Sequence, residues 1–184
     1  MTDEKKIVQD ADLRDAIRFH GHMCPGLAIG YGAAKIAMER LGSRRAEDEE
    51  LIAIVENDSC SVDAVQWLTG CTFGKGNFIF RDYGKQVFTF AMRPTGRAIR
   101  IALRPEFMRR EAAEQDREAK IEHILNAPAE DIFTITEMTI ELPPPAQIHE
   151  SVICDICGEG VMSTRTKTIA GRTMCIPCSE AQDR

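Results

Sequence analysis

From the amino end, apolar residues fall at helical spacing. Leu13, Ala16 and Ile17 predict a helix over 11–19, and Leu27, Tyr31, Ala34, Met38 and Leu41 predict a second one behind Pro25. Proline suits a first helical turn, where its missing N–H has no partner to lose, and Gly42 supplies the stop. Gly30, Gly32, Ala33 and Ala34 leave one flank of that helix narrow enough for another backbone, either from this chain or from a second copy.

The pattern then changes period. Leu51-Ile52-Ala53-Ile54-Val55 is a continuous apolar run of strand length, hence a strand covered on both faces. Ser59 or Ser61 is placed to cap a helix reaching about Leu68, which Gly70 ends. Residues 77–81, 86–91 and 97–103 read as strands joined by short turns, which implies an antiparallel sheet. A charged helical pattern covers 106–125, and alternation returns over 132–142. The charged segment 44–50 reads as a solvated connection. Pro143-Pro144-Pro145 is a stiff, extended linker. The expected organisation is a core domain over 1–142, a linker over 143–149 and a small module over 150–184, of class α+β.

Composition narrows the functional classes. A hydrophobic fraction of 43%, a charged fraction of 28% and a formal net charge of −6 suit a globular protein and disfavour one that coats nucleic acid. No apolar run approaches the roughly 20 residues of a membrane span, and the amino-terminal residues lack a signal-like stretch, so a cytoplasmic location is expected. Seven cysteines, an odd number, point to metals or reactive thiols rather than a disulfide framework.

Four of those cysteines explain themselves. Cys154 and Cys157 form one Cys-x-x-Cys pair, and Cys175 and Cys178 form another 17 residues later, the spacing of a four-thiolate zinc module. Four thiolates leave no open position, so this zinc is structural. Basic and acidic residues balance around the module, which favours docking or dimerisation over nucleic-acid reading.

The remaining chemistry concentrates in His20-Gly21-His22-Met23-Cys24-Pro25-Gly26. Two histidines and a cysteine at alternate positions would share a face of an extended segment, and a helix amino terminus at Cys24 favours its thiolate. The set suits a transition metal, with Cys60 or Cys71 available to complete it. The competing reading makes Cys24 a nucleophile with His20 or His22 as base. Gly70-Cys71-Thr72-Phe73-Gly74-Lys75-Gly76-Asn77 is either a turn or a loop offering Lys75 to a carboxylate or phosphate; it lacks the Walker pattern.

Phe19-His20-Gly21-His22-Met23-Cys24-Pro25-Gly26, Asp58-Ser59-Cys60-Ser61-Val62-Asp63-Ala64-Val65-Gln66, the Gly70 to Asn77 loop and Asp82-Tyr83-Gly84-Lys85 follow one another as in the FmdE family of formylmethanofuran dehydrogenase proteins, which this chain resembles. The resemblance implies an α+β core with an appended treble-clef zinc finger, assembled as an intertwined homodimer. It also implies that the His20 segment, Cys60 and the glycine–lysine loop line one cavity. The family name belongs to the molybdenum or tungsten oxidoreductase of methanogenesis. Accessory component of that complex, stand-alone enzyme and zinc-finger interaction protein are all open at this point. The expected core site uses His22, Cys24 and Cys60 as metal ligands, with His20 ligating or supporting them. In the catalytic reading, Cys24, His20 and Lys75 act. Asp58, Gln66 and Asn77 orient a small polar ligand.

Overall fold

A computed structural model describes residues 10–113 and 116–182, without the side chains of 110–113 and of Gln182. The chain divides into two compact units, Met1–Pro145 and Ala146–Arg184.

The first unit is α+β. Helices α1 (Ala11–His20) and α2 (Pro25–Leu41) precede strand β1 (Leu51–Val55), and α3 (Ser61–Thr69) follows it. Strands β2 (Phe78–Phe80), β3 (Val87–Met92) and β4 (Arg97–Leu103) come next. Helices α4 (Pro105–Ala113), α5 (Arg117–Asn126) and the single turn α6 (Ala129–Ile132) then lead into β5 (Phe133–Thr139). The sheet order is β2-β1-β3-β4-β5. All five residues of β1 are buried, as the unbroken apolar run requires of a strand inside the sheet.

Two expectations are corrected here. Residues 77–81 do not pair with the next strand; β2 lies parallel to β1 at the sheet edge, matching Ala53 to Phe78 and Val55 to Phe80. The β1–α3–β2 segment is therefore a crossover, and the antiparallel pairs are β1–β3, β3–β4 and β4–β5. The helical pattern over 106–125 is broken, because Asp116 caps a fresh start by accepting from the Glu118 N–H at 2.9 Å.

The small-residue flank of α2 is filled from within the chain. A methyl group on Gly30 would lie 2.0 Å from the Ser61 carbonyl oxygen, and one on Gly26 would lie 3.1 Å from Cys60 Cβ. The start of α3 thus rests directly on α2, with Phe133 beside Gly32. Leu27, Phe88, Phe90, Ile99, Ile101 and Phe133 form the buried centre. The charged loop is not a free connection either: Arg93 pairs with Glu49 at 2.9 Å, and Ala46 N–H donates to the Thr69 carbonyl. Among the described residues no helix is long and apolar enough to cross a membrane.

The second unit contains the hairpin β6 (Ser151–Ile153) with β7 (Gly160–Met162), then β8 (Thr166–Ile169) with β9 (Arg172–Cys175), then α7 (Ile176–Gln182). Ala170 and Gly171 both have positive φ, 49° and 78°, as a tight two-residue hairpin turn demands. Knuckle, hairpin and helix follow in treble-clef order.

Candidate metal centre

The carboxy-terminal cysteines converge. All four thiol sulfurs lie within 4.8 Å of one another, and Cys157 and Cys175 Sγ are 3.9 Å apart. A zinc–sulfur bond of about 2.3 Å gives a tetrahedral edge of about 3.8 Å, so the donor set fits zinc. Backbone N–H groups of Cys157, Cys175 and Ile156 hold the Cys154 thiol down to about 6, whereas its hydrogen bond with Cys175 pushes Cys178 up to about 12. Four sulfurs this close cannot all be anionic without a cation between them. The second unit carries a four-cysteine site of the zinc-finger type.

The core cluster forms where α1 ends and α2 begins. Gly21, at φ 99°, closes α1 by donating to the Ile17 carbonyl at 2.7 Å. Three residues later Cys24 is extended, and its sulfur accepts from the Leu27 N–H at 3.3 Å as the N-cap of α2. The turn between them is held from outside by Arg117, whose guanidinium donates to the Met23 carbonyl at 2.9 Å. This helix–turn–helix corner gathers the ligand atoms of His20, His22 and Cys24 within 4.8 Å of one another. His20 is the last residue of a helix, so the corner, and not an extended segment, brings the three together.

Their surroundings differ. Cys24 is buried, His20 is half-buried and His22 is exposed. The two imidazole rings lie 4.6 Å apart. His20 Nδ1 and Asp63 Oδ2 are 2.7 Å apart, and His20 Nε2 stands 3.8 Å from Cys24 Sγ. With the Nδ1 proton donated to the carboxylate, the Nε2 lone pair faces the sulfur. Asp63, in the first turn of α3, has a role that sequence reasoning did not give it. Its spacing of three from Cys60 at a helix start was the available signal.

Cys60 sits at the start of α3, outside the 4.8 Å set. Desolvation, and then hydrogen bonding with Cys24, push its thiol above the ordinary value. Neither predicted serine caps α3. The Ser59 and Ser61 hydroxyls instead meet each other at 2.8 Å and donate to Asn57 Oδ1, while Gln86 Nε2 donates to Ser59. Asp58 and Gln66 line a cavity of about 390 Å³ together with His20, Cys60 and Asp63.

Lys75, Asn77 and Cys71 are engaged elsewhere. Lys75 Nζ donates to the Ala46 and Glu47 carbonyls at 3.0 and 3.3 Å. Asn77 is fully buried; its amide donates to the Asp48 and Leu51 carbonyls and accepts from the Thr72 N–H. Burial pushes the Cys71 thiol up to about 11, and it donates to the Leu51 carbonyl. The glycine–lysine loop therefore fastens the 44–50 segment to the sheet and contributes only Phe73 to the cavity wall.

Comparison with known proteins agrees with this architecture. Residues 19–134 match the family described as FmdE, molybdenum formylmethanofuran dehydrogenase operon. Residues 150–184 match the prokaryotic dksA/traR C4-type zinc finger. The chain is 31% identical over 192 residues to a probable S-adenosyl-L-methionine-binding protein of Archaeoglobus fulgidus, a match covering 89% of this chain and 51% of that protein. The crystal structure of a tungsten formylmethanofuran dehydrogenase FmdE-like protein from Syntrophus aciditrophicus superposes with a TM-score of 0.71. That match covers 98% of this chain and 94% of the other at 24% identity, and it shows the shared fold.

Proposed function

This chain belongs to the FmdE family, and from that premise we propose that its core is a second metal site, held by His20, His22 and Cys24 beside a small ligand-binding cavity. The observation that carries the reading is the meeting of three ligand atoms within 4.8 Å, with Asp63 fixing the His20 tautomer at 2.7 Å. Two nitrogens and one sulfur suit zinc or iron, and three protein ligands leave a position open. A bound dication would supply Lewis-acid chemistry at that position. His20 and His22 supply the neutral donors, Cys24 supplies the buried anionic one, and Asp58 and Gln66 line the space where a ligand would enter.

Metal content per chain tests the reading. Wild type should hold two ions, and both His22→Ala and Cys24→Ser should hold one while the finger zinc persists. Full metal content in both variants would refute it.

One observation supports a second reading. Cys24, His20 and Asp63 stand in the order nucleophile, base and orienting carboxylate, at 3.8 and 2.7 Å. In that case His22 has no role, and Cys24 should alkylate stoichiometrically near neutral pH in a core without metal. The metal reading is preferred because Cys24 is only 6% exposed and its sulfur already accepts the Leu27 N–H, a poor arrangement for attack. Because the chain spans about half of the Archaeoglobus relative, S-adenosylmethionine is a ligand to test by equilibrium dialysis against the full chain. Retention would extend that relative's description to this chain; no retention would confine it to the relative.

A further inference from the structure

We infer that the cavity beside the metal cluster selects planar aromatic ligands that are cationic or neutral, and rejects carboxylates and phosphates. The inference rests on the proposed reading of this cavity as a ligand site and goes beyond it by assigning the ligand's class. Three independent features carry it.

The first is charge. Asp58 and Asp63 both line the cavity, and no lysine or arginine among the described residues does. Lys75, the cation that the sequence offered for an anionic ligand, donates to two backbone carbonyls instead. A dication bound by a Cys24 thiolate would still face two carboxylates, so the formal charge of the loaded site is negative. Bringing an anion into that field is unfavourable, and burial in protein strengthens the effect relative to water.

The second is the wall. Phe73, Phe78 and Phe80 all line the cavity. Phe73 and Phe78 meet edge to face, with ring centroids 5.0 Å apart at 60°. Phe73 is 63% exposed and Phe80 is 39% exposed, an unusual amount of bare aromatic surface unless something flat lies against it. Aromatic faces also attract cations, in the same sense as the carboxylates.

The third is size and polarity. At about 390 Å³ the space matches a small-molecule site, and Gln66 adds a neutral hydrogen-bonding group.

The test uses three isosteric probes that differ in charge: benzamidinium, benzamide and benzoate. Each is titrated by calorimetry into the full-length, metal-loaded protein, with metal content determined on the same samples. Benzamidinium and benzamide should bind about tenfold or more tighter than benzoate. Phe73→Ala should weaken benzamidinium about fivefold with metal content unchanged. Asp58→Asn should narrow the gap between benzamidinium and benzoate. Benzoate binding as tightly as benzamidinium, or benzamidinium binding that ignores Phe73→Ala, would overturn the inference. So would the failure of all three probes to bind a protein carrying its full metal. Failure of the underlying reading registers separately, as a core metal count that His22→Ala does not change.

Discussion

Asp63 is the residue on which the two chemistries of the core diverge. It holds His20 Nδ1 at 2.7 Å from a helix 43 positions further along the chain. A carboxylate behind a ligating histidine fixes the tautomer and raises donor strength, and removing such a partner typically costs roughly 10- to 100-fold in metal affinity. Asp63→Ala should therefore lower core zinc affinity by about that factor in a competition titration, with the finger zinc unaffected. A thiol-enzyme core would respond differently, with metal content unchanged and Cys24 alkylation slowed. The His20, His22 and Cys24 cluster was legible in the sequence because its members lie within five positions. Asp63 was not, because its partnership depends on the α2–α3 contact that Gly30 permits, and one sequence does not show which backbones touch. Lys75 illustrates the reverse case. A lysine among glycines reads as a ligand-binding group, but here it ties down a loop whose charge pattern alone suggests full solvation.

At the scale of elements, α1 and α2 are joined by an ion pair as well as by their corner. Asp10 caps α1 with one carboxylate oxygen, and the other accepts from both Tyr31 and Lys35 on α2. Burial opposes the charge on Asp10, yet the hydrogen bonds from Lys35 and Tyr31 outweigh it and hold the carboxyl below its ordinary value of 3.8. Burial and the same carboxylate push Tyr31 up to about 12. A group whose folded value is depressed contributes stability that is complete above the unfolded value and lost as pH falls through the folded one. Asn caps a helix as well as Asp does, so Asp10→Asn removes the charge and leaves the cap. Wild type should thus exceed Asp10→Asn in denaturation midpoint at about pH 6, and the gap should shrink progressively as pH falls below 3.8. A gap that is constant with pH would remove the ion pair from the account. The strands of this unit were readable from their apolar runs, but the parallel β1–β2 pairing was not. Short turns favour hairpins by default, and the edge position of a three-residue strand depends on how α3 crosses the sheet. The break before α5 was hidden because its cap, Asp116, lies inside a charged stretch that fits a helix surface equally well.

For the whole molecule, the two units rest on different physics. The first has a large apolar centre that includes Phe88, Phe90, Ile99, Ile101 and Phe133. Among its described residues the second buries little apolar surface beyond Cys154, Met174 and Cys175, too small a core for a module of its size. Its folding free energy is therefore largely metal binding. A strong chelator should abolish amide-exchange protection in β6 to β9 while β1, β3 and β4 keep theirs. Persistent protection in the finger hairpins would show a self-sufficient fold. The finger was the most legible part of the chain, because thiolate spacing encodes the tetrahedron directly.

The sulfur of Cys24 does double duty, since it faces His20 and also accepts the Leu27 N–H. Any ion, oxidant or electrophile that engages the sulfur must change its strength as an acceptor. The first turn of α2 is thereby a built-in gauge. In a nitrogen–proton correlation spectrum the Leu27 amide would shift as the sulfur is engaged, reporting core occupancy from a single backbone proton without added dye or substrate.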